Sequence, residues 1–583
     1  MRTRHAFGLS LLALTLAAHS PAWSQSPTLS QSDAASAEDH AAVPAEDARA
    51  AAPAAIDTGA PPEVMATGQQ LQAAPASPLA AAVRQILEVA PNGLTEREAE
   101  ERAAITAFYA ARAGAPLWLT DGHFNARADA LLNEFAKSAD WGLDPADFAP
   151  PQSLGDASNP DTLAATETAL TLAAIKYARF ARGGRIMHPA QELSSYLDRA
   201  PQLQDPKLTL AALAATEDAG ATLRALHPQH PQFEKLRQKY LSLRGEPKTA
   251  SPKAVSQGKS TRKGGTATAT NPFRNFSPEA KRVLANMEQW RWMPADMGDL
   301  YVWNNIPEYT LRVLANGQQV HTERIVAGLI SKQTPIFSRP MRRIVFRPKW
   351  KIPESIKVRE IWPSLMSKGS GGLMAQFGLR IETKEGEVVP TNSVNWSKAD
   401  IRNYEVIQPP GNHAILGNIK FSFPNPHTVY MHDTQDKHLF AATQRTYSHG
   451  CMRVRNPAKL AEVLLNADKG YDAAKIDELI KSGPLDNAVE LTRKVPVHIT
   501  YFTASVDDTG QLVTFRDPYG HERRIIQALE GRWTEIIKGR DHLAPVDPNE
   551  VVASAATRAT RVAAKSEAAK PFNFLSNIFS SGF

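Results

Sequence analysis

Cysteine is almost missing from this chain: 583 residues contain one, Cys451. One cysteine forms no intramolecular disulfide and cannot build a cysteine-based zinc site. Long hydrophobic runs are also missing. Past residue 24 no stretch offers the ~20 consecutive apolar residues of a membrane span, so no stable membrane insertion is expected after the first residues are removed. Charge is nearly balanced, with 66 Lys and Arg against 60 Asp and Glu, a net +6 and a pI near 9.1. That mild basic bias, without a legible RRM, zinc-finger or helix-turn-helix pattern, gives no ground for a nucleic-acid partner. No internal repeat is visible.

The chain reads as several consecutive segments. Residues 1–24 have a charged start (Arg2, Arg4, His5), an apolar core and small residues ahead of Gln25. This is the pattern of a signal peptide and predicts export; an uncleaved anchor is the competing reading. Residues 25–79 are rich in Ala, Pro and Ser without a period, a disordered tether. From 80 to 245 apolar residues recur at three and four spacing, which predicts an all-α domain. One of its helices is expected to stop at Gly142, another at Gly183 and Gly184. Residues 246–272 form a basic linker carrying Lys248, Lys253, Lys259, Arg262 and Lys263. Ser277-Pro278 opens a helix, after which the period changes to two and Asn316-Gly317 marks a hairpin. A β-rich domain is predicted over 273–544. A loop-rich insertion at about 350–405, with the run "SKGSGG" at 367–372, interrupts its strands and reads as a mobile lid. Residues 545–583 read as a flexible tail. The fold class expected is α+β.

A lone thiol in an exported chain is a liability unless it has a task. Its surroundings suggest one. A free thiol has a pKa near ~8.5 and needs a base to become a nucleophile at neutral pH, most often an imidazole. His432 ends the strand-like run "HTVYMHD", and His449 lies two positions before Cys451, on the same side of an extended backbone. Gly450 allows a tight turn whose N–H groups can face a developing oxyanion. His438 reads as a surface residue.

The motif "HDT…YSHGCMRV", with fifteen residues between His432 and Ser448, resembles the active-site motif of the bacterial L,D-transpeptidases. "ANMEQWRWMPADMGDLYVWNNIPEYTLRV" and "PPGNHAILGNIKFSFPNPHTVYMHDT" resemble the long periplasmic branch of that family, and "LWLTDGHFNARADALLNEFAKSADWGLDPADF" is similar to its helical scaffold. The resemblance implies a periplasmic enzyme acting on peptidoglycan stem peptides. Cys451 would be the nucleophile and His432 the general base. Asp433 would orient the imidazole through its carbonyl, and Tyr430, His449, Gly450 and the Cys451 amide would form the oxyanion region. Ser448 and Arg453 match substrate-contacting positions, and for Arg453 a structural ion pair and a grip on a substrate carboxylate are the two readings. The implied product is a 3→3 cross-link made through a Cys acyl-enzyme. Water as acceptor (an L,D-carboxypeptidase or endopeptidase) and a non-catalytic wall-binding scaffold are the alternatives. No metal or organic cofactor is implied, and other wall-synthesis proteins are candidate partners. Two features depart from the family pattern. Arg453 stands where some relatives have Asn, and the basic linker occupies the place where many carry a small peptidoglycan-binding module.

Overall fold

The computed structural model describes residues 77–89, 91–149, 158–244, 271–368, 374–375 and 377–547. The expected signal peptide, nearly all of the tether and basic linker, and the tail beyond 547 lie outside the described residues. No described helix is long and apolar enough to cross a membrane.

The first lobe is helical. Helices span Pro78–Glu88, Glu96–Ala111, Ala126–Ala136, Pro160–Gly183, Pro206–Ala214 and Pro231–Arg244, beside a small hairpin of β1 (Leu119–Thr120) and β2 (His123–Phe124). Their starts follow capping chemistry. Thr95 and Glu98 form a capping box, and Asn159 caps a helix opened by Pro160. The long helix ends at Gly183–Gly184 as its sequence predicts. The helix expected to run to Gly142 stops at Ala136, and a 3-10 turn, Ser138–Trp141, carries the chain to Gly142 in the left-handed region. Ser138 is buried there, so tertiary packing ends the helix one turn early.

Strands follow the helix Pro278–Arg291, which Ser277 caps. They are β3 (Leu300–Asn305), β4 (Thr310–Ala315), β5 (Gln318–Gly328), β6 (Ser338–Phe346), β7 (Trp350–Lys351), β8 (Arg380–Glu382), β9 (Val388–Val389), β10 (Glu405–Gln408), β11 (Ile419–Ser422), β12 (Met431–His432), β13 (Thr446–Ser448), β14 (Met452–Val454), β15 (Asn487–Thr500), β16 (Ala504–Val506) and β17 (Leu512–Thr514). Asn316 and Gly317 both have positive φ between β4 and β5, as the predicted Asn-Gly hairpin requires. Nine strands form one sheet in the order β13–β5–β14–β12–β11–β6–β15–β3–β4. β5 is long enough to pair with β4 through its first half and with β14 through its second, so the sheet closes on itself. Closure removes the free edges that an open sheet would present.

The two lobes share a core. Ile186, Leu193, Phe233, Leu236 and Tyr240 of the helical lobe belong to the same buried cluster as Val283, Trp290, Ile499 and Phe502. Buried Glu288, on the helix leading into the sheet, accepts the N–H groups of Arg185 (2.5 Å) and Ile186 (2.9 Å). Gly184 is required at this contact. Its φ is +82°, and a Cβ there would lie 2.4 Å from the Glu288 carboxylate.

The insertion is more ordered than its loop-rich sequence predicts. β7, β10, β8 and β9 form a separate four-stranded sheet. Trp350, Trp362, Trp396, Ile381 and Val406 fill a core of their own beneath it. Short strands of two to four residues are hard to read from sequence, and the three tryptophans supply the burial that stabilises them. The run 369–373 within it lies outside the described residues. The tail also begins later than position 545, because Val546 packs against the insertion. On the way His542 stacks on Tyr196 at 3.9 Å and lies 2.8 Å from both Ser195 Oγ and His427 Nδ1.

A shared core predicts shared melting. Leu236 is fully buried within it, so Leu236→Ala should lower stability by about 2–5 kcal/mol. Calorimetry should show one displaced transition for both lobes; an unmoved second transition for the sheet would show the lobes to be independent.

Candidate active site

Register builds the site. β12 and β14 run parallel, with Met431 opposite Met452 and His432 opposite Arg453. Both methionines are fully buried in the main core. Side chains alternate along a strand, so the neighbours of the methionines take the other face: Tyr430 and His432 from one strand, Cys451 and Arg453 from the other. β11 adds Lys420, paired with His432, while its own Ile419 and Phe421 point into the core. The sheet thus presents Lys420, Tyr430, His432, Cys451 and Arg453 together on one face.

The His432 ring is held by its neighbour's backbone. Nδ1 donates to the Asp433 carbonyl, which leaves Nε2 as the basic nitrogen. The Asp433 carboxylate is engaged elsewhere. It accepts the Asn418 N–H at 2.9 Å, the Thr434 N–H at 2.7 Å and Lys437 Nζ at 2.6 Å. Its backbone therefore orients the imidazole and its side chain anchors the loops. Burial, followed by the charge of Arg453, lowers the His432 pKa to about 3, against the opposing effect of the Asp433 carbonyl. Burial likewise pushes the Cys451 thiol up to about 11, although hydrogen bonds from the Tyr430 backbone and phenol and the nearby Lys420 and Arg453 charges work the other way. At neutral pH both partners are uncharged, so the resting site holds a thiol and an imidazole rather than an ion pair.

The turn before the cysteine is tied internally. Ser448 Oγ donates to the Cys451 carbonyl and accepts the Gly450 N–H at 3.2 Å. Thr334 Oγ1 donates to the Gly450 carbonyl at 2.8 Å. Gly450 has φ +111°, a backbone conformation that favours glycine.

These contacts bear on three expectations. Ser448 is buried and its hydroxyl is occupied within the turn, so it shapes the loop rather than contacting substrate. The Gly450 N–H is occupied by Ser448, which leaves the Cys451 N–H, unpartnered among the described residues, as the backbone donor at the turn. Arg453 is buried and its Nη1 lies 2.6 Å from Asp436 Oδ2, an ion pair that pins the connection between His432 and Cys451. The ion pair is one of the two readings the sequence offers for Arg453; its Nε has no hydrogen-bond partner among the described residues.

His449 does not share the cysteine's side as an extended backbone would require, because Gly450 breaks the extended run. Its Nε2 lies 3.2 Å from Glu360 Oε1, on the π-helical turn Lys357–Ile361 of the insertion. Burial raises the Glu360 carboxyl, but His449 and Lys332 outweigh it and hold the group below its ordinary range. Tyr430 also packs against the insertion's core. His438 is exposed, as expected.

Two residues escape a sequence reading. Glu360 carries no local signal, since its partner is distant in the chain. Lys420 does carry one: in "NIKFSF" it alternates with Ile419 and Phe421, which places a cation on the face opposite the core.

Two family descriptions match the chain: a Scaffold domain over residues 103–239 and an L,D-transpeptidase catalytic domain over residues 299–481. A Haemophilus influenzae protein provisionally named an L,D-transpeptidase is 28% identical over 255 residues, 44% of this chain and 50% of that protein. The chain thus spans about half the length of that curated relative. Among solved structures, the Ldtfm–avibactam carbamoyl enzyme aligns at 11% identity over 36% of this chain and 51% of that one, with a TM-score of 0.18. An L,D-transpeptidase from Mycobacterium smegmatis aligns at 11% over 35% and 58%, with a TM-score of 0.15. The chain therefore carries a region similar to the L,D-transpeptidase catalytic domain, residues 299–481, behind a region similar to a Scaffold domain, residues 103–239.

Proposed function

We propose that the protein forms 3→3 cross-links between peptidoglycan stem peptides in the periplasm, through an acyl-enzyme on Cys451. The observation that carries this reading is the common sheet face of Cys451 and His432, with His432 locked in the tautomer that leaves Nε2 basic. The export pattern of residues 1–24, outside the described residues, supports the compartment.

The neutral pair sets the order of events. As Sγ attacks the carbonyl carbon of the third stem residue, its proton passes to His432 Nε2. The oxyanion forms beside the Cys451 N–H, and the Tyr430 phenol faces the sulfur. The C–N bond to D-Ala breaks, its nitrogen takes the proton from His432, and a thioester remains. The amine of a second stem then attacks the thioester, His432 removes its proton, and the thiol is restored. We read the insertion as the lid over this exchange, supported by its contacts with His449 and Tyr430. Excluding water would protect the thioester from hydrolysis.

Mass spectrometry of purified tetrapeptide muropeptides incubated with the protein tests the reaction. Free D-Ala and a 3→3 dimer are expected. D-Ala with tripeptide monomer alone would assign water as the acceptor, and no change would overturn the proposal. Cys451→Ala should remain folded and lose turnover by about a thousandfold or more.

The pKa directions give a second test. A thiol titrating at about 11 beside an imidazole titrating at about 3 should show iodoacetamide labelling that climbs through and beyond pH 9. A plateau reached at neutral pH would reveal a preformed ion pair and contradict the neutral resting state. His432→Ala should lose acylation at neutral pH and recover part of it in alkali, where the thiol ionises unaided. His449→Ala, which removes a partner of Glu360 and no base, should be impaired without that recovery.

A further inference from the structure

Lys420 has no part in the reaction just described, yet its surroundings are hard to explain as structural. It sits within a sheet, half-buried, directly opposite His432 in the β11–β12 pairing. Its ammonium lies 4.4 Å from the centre of the Tyr430 ring. The phenol of that tyrosine is hydrogen-bonded to Cys451. No hydrogen bond or ion pair joins Lys420 to an acid among the described residues. The charged groups that face it are few and mostly committed. Asp486 is paired with Lys349 at 3.3 Å, and Arg343 with Glu490 at 3.4 Å. Cys451 is the remaining group that can become an anion there, and its field on Lys420 is the largest of the three.

An inward ammonium is disfavoured by burial unless it meets negative charge. In the resting site that charge is absent, because the thiol is neutral. It appears when the sulfur loses its proton and again when the oxyanion forms. We propose that Lys420 is a positioning residue whose fixed positive charge, placed across the Tyr430 ring, stabilises the anionic states of Cys451. This rests on Cys451 being the nucleophile and adds the group that its ionisation is formed against.

The other cation on this face does not duplicate the role. Arg453 is partly neutralised by Asp436 at 2.6 Å, and after burial it is the strongest influence lowering the basicity of His432. Lys420 also acts on His432, though less, and ranks above Arg453 in its effect on the thiol. Together the two favour thiolate over imidazolium, so their loss should be visible first at sulfur.

The test is the rate of alkylation by iodoacetamide, a neutral reagent whose binding needs no cation, measured across pH in the full chain. Lys420→Met should displace the profile upward by about one pH unit and slow labelling about tenfold in its rising limb. Lys420→Arg should restore the rate to within about threefold, since it keeps the charge. Thermal melting checks the fold, and Lys420→Gln replaces the Met variant if that one does not fold. An unchanged alkylation profile would overturn the proposal. So would an unchanged profile accompanied by a raised KM for stem peptide, which would make Lys420 a contact for a substrate carboxylate instead. The outcome is independent of the acceptor: if wild type alkylates as expected but makes no cross-linked dimer, the transpeptidase reading fails while the role of Lys420 is still decided.

Discussion

The pairing of Met431 with Met452 is the constraint on which the site depends. A slip of one residue between two strands moves every side chain to the opposite face. Here such a slip would bury Cys451 in the core and expose a methionine to the cleft. Two fully apolar side chains in the main core make that register costly to leave. The ion pairs of the connecting loop reinforce it. Arg453–Asp436 and Lys437–Asp433 each join the loop after β12 to a residue at the strand ends. Removing Asp436 would leave the Arg453 charge buried without its counterpart, a change far more costly than losing an exposed bridge.

The rest of the molecule serves this face from three directions. The closed sheet supplies rigidity and has no free edge in its ring. The helical lobe shares the core behind it, with Glu288 and Gly184 fitted to each other at the junction. The insertion approaches from in front, where Glu360 meets His449 and Tyr430 joins the insertion's apolar cluster. His449, two positions before Cys451 in sequence, is therefore one point at which the insertion touches the turn. This gives the insertion a physical route to the site, through the 3.2 Å approach of Glu360 to His449, on a loop held by Thr334 and Ser448.

Much of this was legible in the sequence where the signal is local. The Asn316-Gly317 hairpin, the helix begun by Ser277-Pro278 and the stop at Gly184 follow from backbone preferences that a few residues determine. The strand-like run "HTVYMHD" ends at His432 as read, whereas the parity that sets Tyr430 on the same face, and Lys420 in "NIKFSF" beside them, went unread. What escaped reading depends on long-range packing. Ser448, a polar residue next to Cys451, looks like a substrate contact until the fold supplies the Cys451 carbonyl as its partner, and the partner of Arg453, Asp436, is named only by the fold. The helix that ends at Ala136 rather than Gly142 does so because Ser138 is buried by the surrounding lobe. The insertion looks irregular because its strands are too short to show a period, and its order comes from three tryptophans brought together only on folding.

The central proposal is covalent chemistry at one sulfur, opposite one imidazole. Its most direct test is tandem mass spectrometry of the protein quenched during turnover with a tetrapeptide stem. The account predicts a thioester adduct with the mass of the stem acyl group lacking D-Ala, mapped to Cys451 and absent when His432 is replaced by Ala at neutral pH. An adduct on any other residue, or cross-linked product formed by a chain whose Cys451 has been replaced by Ala, would contradict it.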